Sequence, residues 1–235
     1  MSQSLEGQNV LVAGGTGGLG RAVSLAFLGR LAHVSVTYRS DAEFAALKSA
    51  AGASADLLEG HQVDATNEAA VRQLIEQLTS SRRRIDVLVN TIGGYAAGMP
   101  LWETGPEILE KMLTLNLRAG YVLARAVVPV MLRQKSGAIV NTAARAAFDH
   151  AAGASAYAAS KSAAVAMMDS LAADLKGTGV RVNSVLPSII DTEANRRAMP
   201  QADFTKWPKP EEIARVILFL CSEEASVIHG ASIPV

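Results

Sequence analysis

In the stretch VLVAGGTGGLGRAV, residues 10–23, an apolar run stops at a cluster of five glycines and then opens into a helical pattern. Strand, glycine turn and helix in that order are what a bound dinucleotide requires. Backbone N–H groups at a helix N-terminus must meet a pyrophosphate, and a Cβ on the wrong residue would block its approach. Two glycine spacings are superimposed: Gly15, Gly17 and Gly20 fit G-x-G-x-x-G, while Gly14, Gly18 and Gly20 fit G-x-x-x-G-x-G. The first spacing by itself also occurs in plain tight connections. The strand before it and the helix after it carry the reading of a nucleotide site.

The rest of the chain is compatible with one large unit. Its 235 residues, 49% of them hydrophobic, suffice for a single α/β domain over residues 1–235 with a sizeable core. Lys plus Arg and Asp plus Glu both number 22, so no general attraction to nucleic acid is expected. The run Arg82-Arg83-Arg84 reads as a solvated helix end. The one cysteine, Cys221, lies in the apolar pattern VILFLC, which suggests core and excludes an internal disulfide. Four scattered histidines give no metal-ligand spacing, so no metal is expected. The opening MSQSLEGQN has no signal-type apolar region, and no uninterrupted apolar run reaches the ~20 residues of a membrane span. A soluble, cytoplasmic protein is the expectation, with no membrane partner.

Periodicity then places the elements. Helices are expected at residues 19–31, 41–50 (behind a capping box at Ser40-Asp41-Ala42-Glu43), 67–80, 106–133, 154–175 and 213–221. The last of these opens on Pro210-Glu211-Glu212, a favourable first turn. Strands are expected at 10–13, 33–38, 57–63 (the weakest), 85–90, 138–142 and 180–186, with a short seventh at 233–235. Residues 187–209 have little periodicity and several prolines, and read as a lid. Alternating strands and helices imply one doubly wound parallel sheet with helices on both faces. In such a sheet a ligand lies beyond the carboxyl ends of the strands.

Tyr157 and Lys161 stand at i and i+4 near the start of one helix and project from one face. A free phenol titrates near ~10 and is a poor acid at neutral pH, and a nearby ammonium lowers that value by stabilising the phenolate. The pair is a workable general acid, although the spacing alone recurs on many surface helices.

Taken together, the glycine turn, Asn90-Thr91-Ile92-Gly93, Asn116, Tyr157-Ala-Ala-Ser-Lys161 and Arg181-Val-Asn-Ser-Val-Leu-Pro187 stand in an order that resembles the short-chain dehydrogenases/reductases over nearly the whole chain. The resemblance implies a Rossmann-type sheet, a nicotinamide cofactor and a small-molecule substrate. It implies that Tyr157 is the general acid, that Lys161 binds the nicotinamide ribose, and that Asn116 supports a proton-relay water. It assigns Gly14, Thr16, Gly17, Gly18, Leu19 and Gly20 to the pyrophosphate loop, and Asp64 and Ala65 to the adenine. Asn90, Ile92, Gly93, Thr142, Pro187, Ile190 and Thr192 fall along the ribose and nicotinamide. Tyr38 stands where an NAD enzyme of this type has an acid, and Arg39 follows it, which favours NADPH over NADH. Apolar residues on more than one face of the helices at 106–133 and 154–175 imply a homodimer or homotetramer.

One departure matters most. The family's serine, thirteen residues before the tyrosine, is Ala144 here. Arg145 or the Asp149-His150 pair is a possible substitute donor. The dihydropteridine reductase subgroup shows the same loss, and this chain resembles it in Gly93-Gly94-Tyr95-Ala96-Ala97-Gly98 and in the stretch from Asp191 to Trp207. A quinonoid dihydropterin reacts at a conjugated C=N system and needs no serine on a carbonyl. Substrate contacts are then expected from Ala144, Tyr95, His150 and Trp207, the two aromatics stacking on a flat ring. The alternatives are a carbonyl or 3-oxoacyl reductase with another donor, and a catalytically silent NADP(H)-binding regulator.

Overall fold

The computed structural model describes residues 5–235, so the part of the leader expectation that falls on residues 1–4 lies outside the described residues. Seven strands, β1 (Asn9–Ala13), β2 (His33–Tyr38), β3 (Leu58–Gln62), β4 (Val87–Asn90), β5 (Gly137–Thr142), β6 (Val180–Leu186) and β7 (Ser232–Pro234), make one sheet. Every pair is parallel, in the order β3-β2-β1-β4-β5-β6-β7. The order reverses between β1 and β4. There the connections depart to opposite faces and leave a crevice at the carboxyl ends.

Period-two alternation within each strand supplies both cores. Val10 and Val12 join Val34, Val36, Val89 and Val140 on one face, under helices α1 (Gly18–Leu28) and α8 (Pro210–Cys221) through Phe27, Ile213 and Ile217. Leu11 and Ala13 turn the other way, with Leu88, Ile139 and Val182, toward Leu74, Leu123 and Met168. Those three belong to α3 (Glu68–Arg82), α5 (Ala119–Gln134) and α6 (Ser155–Asp174). Each such side chain contributes about 1.5–3 kcal/mol on burial. Cys221 is core, as expected, and burial pushes its thiol up to about 12.

Several boundaries differ from the periodic reading. Helix α1 ends three residues early, because Gly29 caps it and Leu31 takes a positive φ of 58°. Helix α2 (Asp41–Ala51) begins where the capping box places it, the Ser40 hydroxyl accepting from Glu43 N at 3.4 Å. The arginine run is the solvated end of α3, as expected: Arg82 pairs with Glu59, Arg83 caps the helix in the left-handed region, and Arg84 pairs with Asp86. The expected helix at 106–133 is three segments: α4 (Pro106–Leu113), a π turn at Thr114–Arg118, and α5. Over Pro106–Gln134 this helix is long and apolar enough to cross a membrane, yet half of its most apolar window is buried inside the fold. The aperiodic stretch 187–209 contains a short helix, α7 (Glu193–Ala198), capped by Thr192, and a 3-10 turn at Phe204–Lys206.

Arg181 on β6 closes the far end of the sheet. Its guanidinium donates to the carbonyls of Leu220 (2.7 Å), Ser222 (2.9 Å) and Ala225 (3.1 Å), satisfying acceptors at the C-terminus of α8.

Candidate active site

The glycine turn is fixed by what packs on it. Gly14 takes φ +76° and lies against Ile92, while a Cβ on Gly20 would strike the Gly14 carbonyl. A Cβ on Gly18 would meet the Thr192 methyl at 2.8 Å, so the 187–209 segment sits directly over the turn. Gly17 has nothing closer than Gly14 O at 3.6 Å. The turn is also sewn to its neighbouring strands. Gly14 N donates to Thr37 Oγ1 (3.0 Å), Gly15 N to Thr37 O (3.2 Å), and Thr91 Oγ1 to Ala13 O (2.8 Å). Thr91 therefore ties the end of β4 to the turn. Gly17 is the N-cap of α1 and offers no side-chain cap, which leaves first-turn N–H groups for an anion. Leu19 points into the core.

At the end of β2, Tyr38 stacks on Phe44 (4.8 Å, 5° between planes), and Arg39 is exposed. Desolvation, then the hydrogen bond to Asp41, holds the Tyr38 phenol above its ordinary range. Asp64 accepts from Thr66 N (2.8 Å) and Thr66 Oγ1 (2.7 Å). Those bonds hold its carboxylate below the usual range, with Arg39 and Arg118 adding their charge. Ala65 beside it is buried. Thr16, 9% exposed, donates through Oγ1 to Glu43 Oε2 at 2.9 Å. The sequence marked Glu43 only as a capping acid.

At the ends of β4 and β5, Asn90 Nδ2 donates to Asn141 Oδ1 (2.8 Å), and Asn90 Oδ1 accepts from Ile92 N (3.2 Å). Asn116 lies in the π turn, a widening that recurs at functional sites. Its Oδ1 accepts from Gly94 N (2.8 Å), and its Nδ2 donates to Gly94 O (3.1 Å) and Ser160 Oγ (2.9 Å). Ser160 Oγ in turn donates to Tyr157 O at 2.7 Å. This side chain is a strut between the loop after β4 and α6, a role the sequence did not reveal. A Cβ on Gly93 would lie 3.0 Å from Asn116 Oδ1 and 3.2 Å from Lys161 Nζ, so a side chain here would crowd both.

Lys161 is 5% exposed, and its Nζ donates to Thr142 O at 3.1 Å. An ammonium carries three donors, so further hydrogens remain for a ligand. Burial pushes Lys161 down to about 8. Burial first, then the neighbouring Tyr95, pushes the Tyr157 phenol up to about 12. In the protein alone the Tyr157 phenol is therefore harder to ionise, against the expectation that Lys161 makes it easier, because desolvation leads and Tyr95 adds to it. The Tyr95 ring, 70% exposed, meets Tyr157 edge-on (4.9 Å, 78°).

The remaining expected residues divide between the site and its surroundings. Ala144 is buried at the start of the 3-10 turn Arg145–Ala147, where Arg145 N donates to Pro187 O (3.0 Å). The Arg145 guanidinium turns outward to Asp149, at 3.1 Å. His150 is exposed, with Nε2 lying 3.3 Å from Ala147 O. Trp207 packs within the lid on Phe204 (4.9 Å), whose ring also carries Arg196 (4.9 Å). The aromatic contact is tilted at 55° rather than stacked. Ile190 is partly buried against the core, and Thr192 touches the glycine turn. Among the described residues no cluster of His, Cys, Asp or Glu has metal-binding form.

A nicotinamide dinucleotide fits these observations. The hydroxyl of Thr142 is buried with no hydrogen-bond partner in the protein, on the residue whose carbonyl Lys161 bonds, and Gly93 lies against the same lysine.

Comparison with known proteins agrees. A family model described as short chain dehydrogenase matches residues 8–203. The 3-oxoacyl-[acyl-carrier-protein] reductase FabG of Thermotoga maritima is 30% identical over 234 residues, covering 96% of this chain and 95% of that protein. The D-threitol dehydrogenase of Mycolicibacterium smegmatis is 32% identical over 238 residues, covering 97% and 91%. Among solved structures, ElxO with NADP bound superposes with a TM-score of 0.92 at 25% identity, covering 97% of each chain.

Proposed function

The chain belongs to the short chain dehydrogenase family and is an oxidoreductase, and from that premise we propose that it reduces a flat, conjugated heterocycle of the quinonoid dihydropteridine kind with NADPH. Ala144 carries the substrate reading. A buried methyl stands where the family resemblance places a hydroxyl for a substrate carbonyl, and the exposed Tyr95 ring beside Tyr157 offers a flat surface to a planar substrate.

NADPH, when bound, supplies a hydride from its nicotinamide ring. The backbone of residues 14–20 and the N-terminus of α1 would hold its pyrophosphate, with Arg39 and Tyr38 at the adenosine ribose and Asp64 and Ala65 at the adenine. Asn90, Ile92, Gly93, Thr142, Pro187, Ile190 and Thr192 would line the nicotinamide half. Tyr157 holds the proton to be delivered, because a phenol at about 12 is fully protonated at neutral pH. Lys161, at about 8, is about nine-tenths charged at pH 7 and stabilises the phenolate left after transfer. Asn116 and Ser160 keep the α6 backbone at Tyr157 and the loop at Gly94 in fixed relation.

The second reading is a carbonyl or 3-oxoacyl reductase, favoured by the name of the Thermotoga relative. The outward pairing of Arg145 with Asp149 weighs against Arg145 as its substitute donor. The deciding experiment follows NADPH oxidation with quinonoid dihydropterin and with a panel of ketones and 3-oxoacyl thioesters, for the wild type and Ala144→Ser. Efficient dihydropterin turnover, held within several-fold in Ala144→Ser, is expected. Dihydropterin inactivity alongside efficient ketone or thioester reduction defeats the reading. Turnover of neither substrate with NADPH bound would mark a silent regulator.

The same reading makes the protein a cytoplasmic homodimer or homotetramer. A groove of about 770 Å³ along α4, α5 and α6, lined by Leu113, Leu117, Tyr121 and Met167, offers apolar surface to a second copy.

A further inference from the structure

We infer that Glu43 is a specificity-determining residue that holds the preference for a 2′-phosphorylated cofactor below what Arg39 alone would give. The inference rests on the nicotinamide-cofactor reading of the site. The glycine turn is bonded to the end of β2 through Thr37, and Thr16 of that turn reaches the start of α2 through its bond to Glu43. Arg39, exposed just after β2, lies near enough to Asp64 to act on its carboxylate, and Asp41 and Glu43 follow on α2. Asp41 is engaged with Tyr38, and Asp64 with Thr66. Glu43 reaches across to the turn itself and accepts the Thr16 hydroxyl at 2.9 Å.

Two consequences follow for a ribose 2′-phosphate. Its charge of roughly −1.5 to −2 would gain from Arg39 and be opposed by the Glu43 carboxylate, which the bond to Thr16 holds at the turn. The Thr16 hydroxyl, a donor the turn would otherwise offer to that phosphate, is already directed at Glu43. A ribose 2′-hydroxyl carries no charge, so it meets no such repulsion. Glu43 thus opposes Arg39 specifically at the 2′ position. Gly17, where a basic residue would strengthen phosphate binding, leaves Arg39 without that help.

Isothermal titration of the full chain with 2′,5′-ADP and with 5′-AMP tests this without turnover. Glu43→Gln keeps an oxygen for Thr16 and removes the charge. Glu43 is exposed in the first turn of α2, so the variant is expected to fold. The expected result is a rise of about tenfold in the affinity ratio of 2′,5′-ADP to 5′-AMP, shrinking as salt is added. Thr16→Val, which removes the bond and leaves the carboxylate, is expected not to raise the ratio. A ratio within about twofold of wild type in Glu43→Gln overturns the inference, as does an equal rise in Thr16→Val. Failure of the wild type to bind either probe overturns the cofactor reading itself, and the inference with it.

Discussion

Replacing Lys161 by methionine is expected to stabilise the fold while it disables the site. Burial holds this ammonium at about 8 against an ordinary 10.5. That displacement corresponds to about 3 kcal/mol of cost in keeping the charged form in the native state at pH 7. The sign follows from proton binding. Between about pH 8 and 10.5 the unfolded chain binds more protons at this lysine than the native one. The cost is therefore complete below pH 8 and is relieved as pH rises toward 10.5. Methionine is of similar length, carries no charge and forfeits the bond to Thr142 O, a loss of about 1 kcal/mol. The net gain is about 2 kcal/mol at pH 7, or roughly 4–8 °C in Tm. By pH 9.5 the lysine's cost has fallen to about 1 kcal/mol, which the lost bond offsets, so the variant and wild type converge. Urea unfolding at fixed protomer concentration, at both pH values, reads this directly, and kcat is expected to fall in the same variant. A Lys161→Met protein less stable than wild type at pH 7, or a difference that does not change with pH, would refute the reasoning.

Tyr157→Phe is expected to lower kcat by about 10²–10⁴-fold with NADPH affinity nearly intact, and normal turnover in that variant would place the proton donor elsewhere. Arg39→Ala is expected to weaken NADPH binding by one to two decades, from the loss of about 1.5–3 kcal/mol, and to leave NADH unchanged; equal kcat/KM for both cofactors in both proteins would remove Arg39 from the cofactor site. Arg181→Met strands the carbonyls at the end of α8 and is expected to cost about 2–4 kcal/mol, seen as a lower urea midpoint; an unmoved midpoint contradicts that account. Light scattering at micromolar concentration is expected to give a mass of at least two chains, and a monomer mass would leave the groove on α4–α6 without its second copy.

Much of this was legible in the sequence because it rests on local chemistry. Alternation in VLVA sends Val10 and Val12 to one core and Leu11 and Ala13 to the other, and no tertiary fact is needed to read it. The glycine turn was legible for the same reason, as was the shared face of Tyr157 and Lys161, since both depend on spacing within one or two turns of chain. The seventh strand was readable as a short apolar end, and its place beside β6 was not.

Tertiary structure decided whatever depends on groups distant along the chain. The π turn around Asn116 was hidden because α- and π-type bonding differ by one residue within a run wholly compatible with a helix. Its partners, Gly94 and Ser160, come from other elements. Thr91 was readable only as part of Asn90-Thr91-Ile92-Gly93, and the fold alone shows its hydroxyl tying β4 to the glycine turn. Trp207 was readable as an aromatic near the site, but its contact with Phe204 was not. The sequence established that Tyr157 and Lys161 are neighbours, but the direction of each pKa was set by how completely the surrounding elements exclude water. Spacing fixes which groups meet along one element; burial and long-range contact fix the strength and sign of what they do, and only the folded chain supplies those.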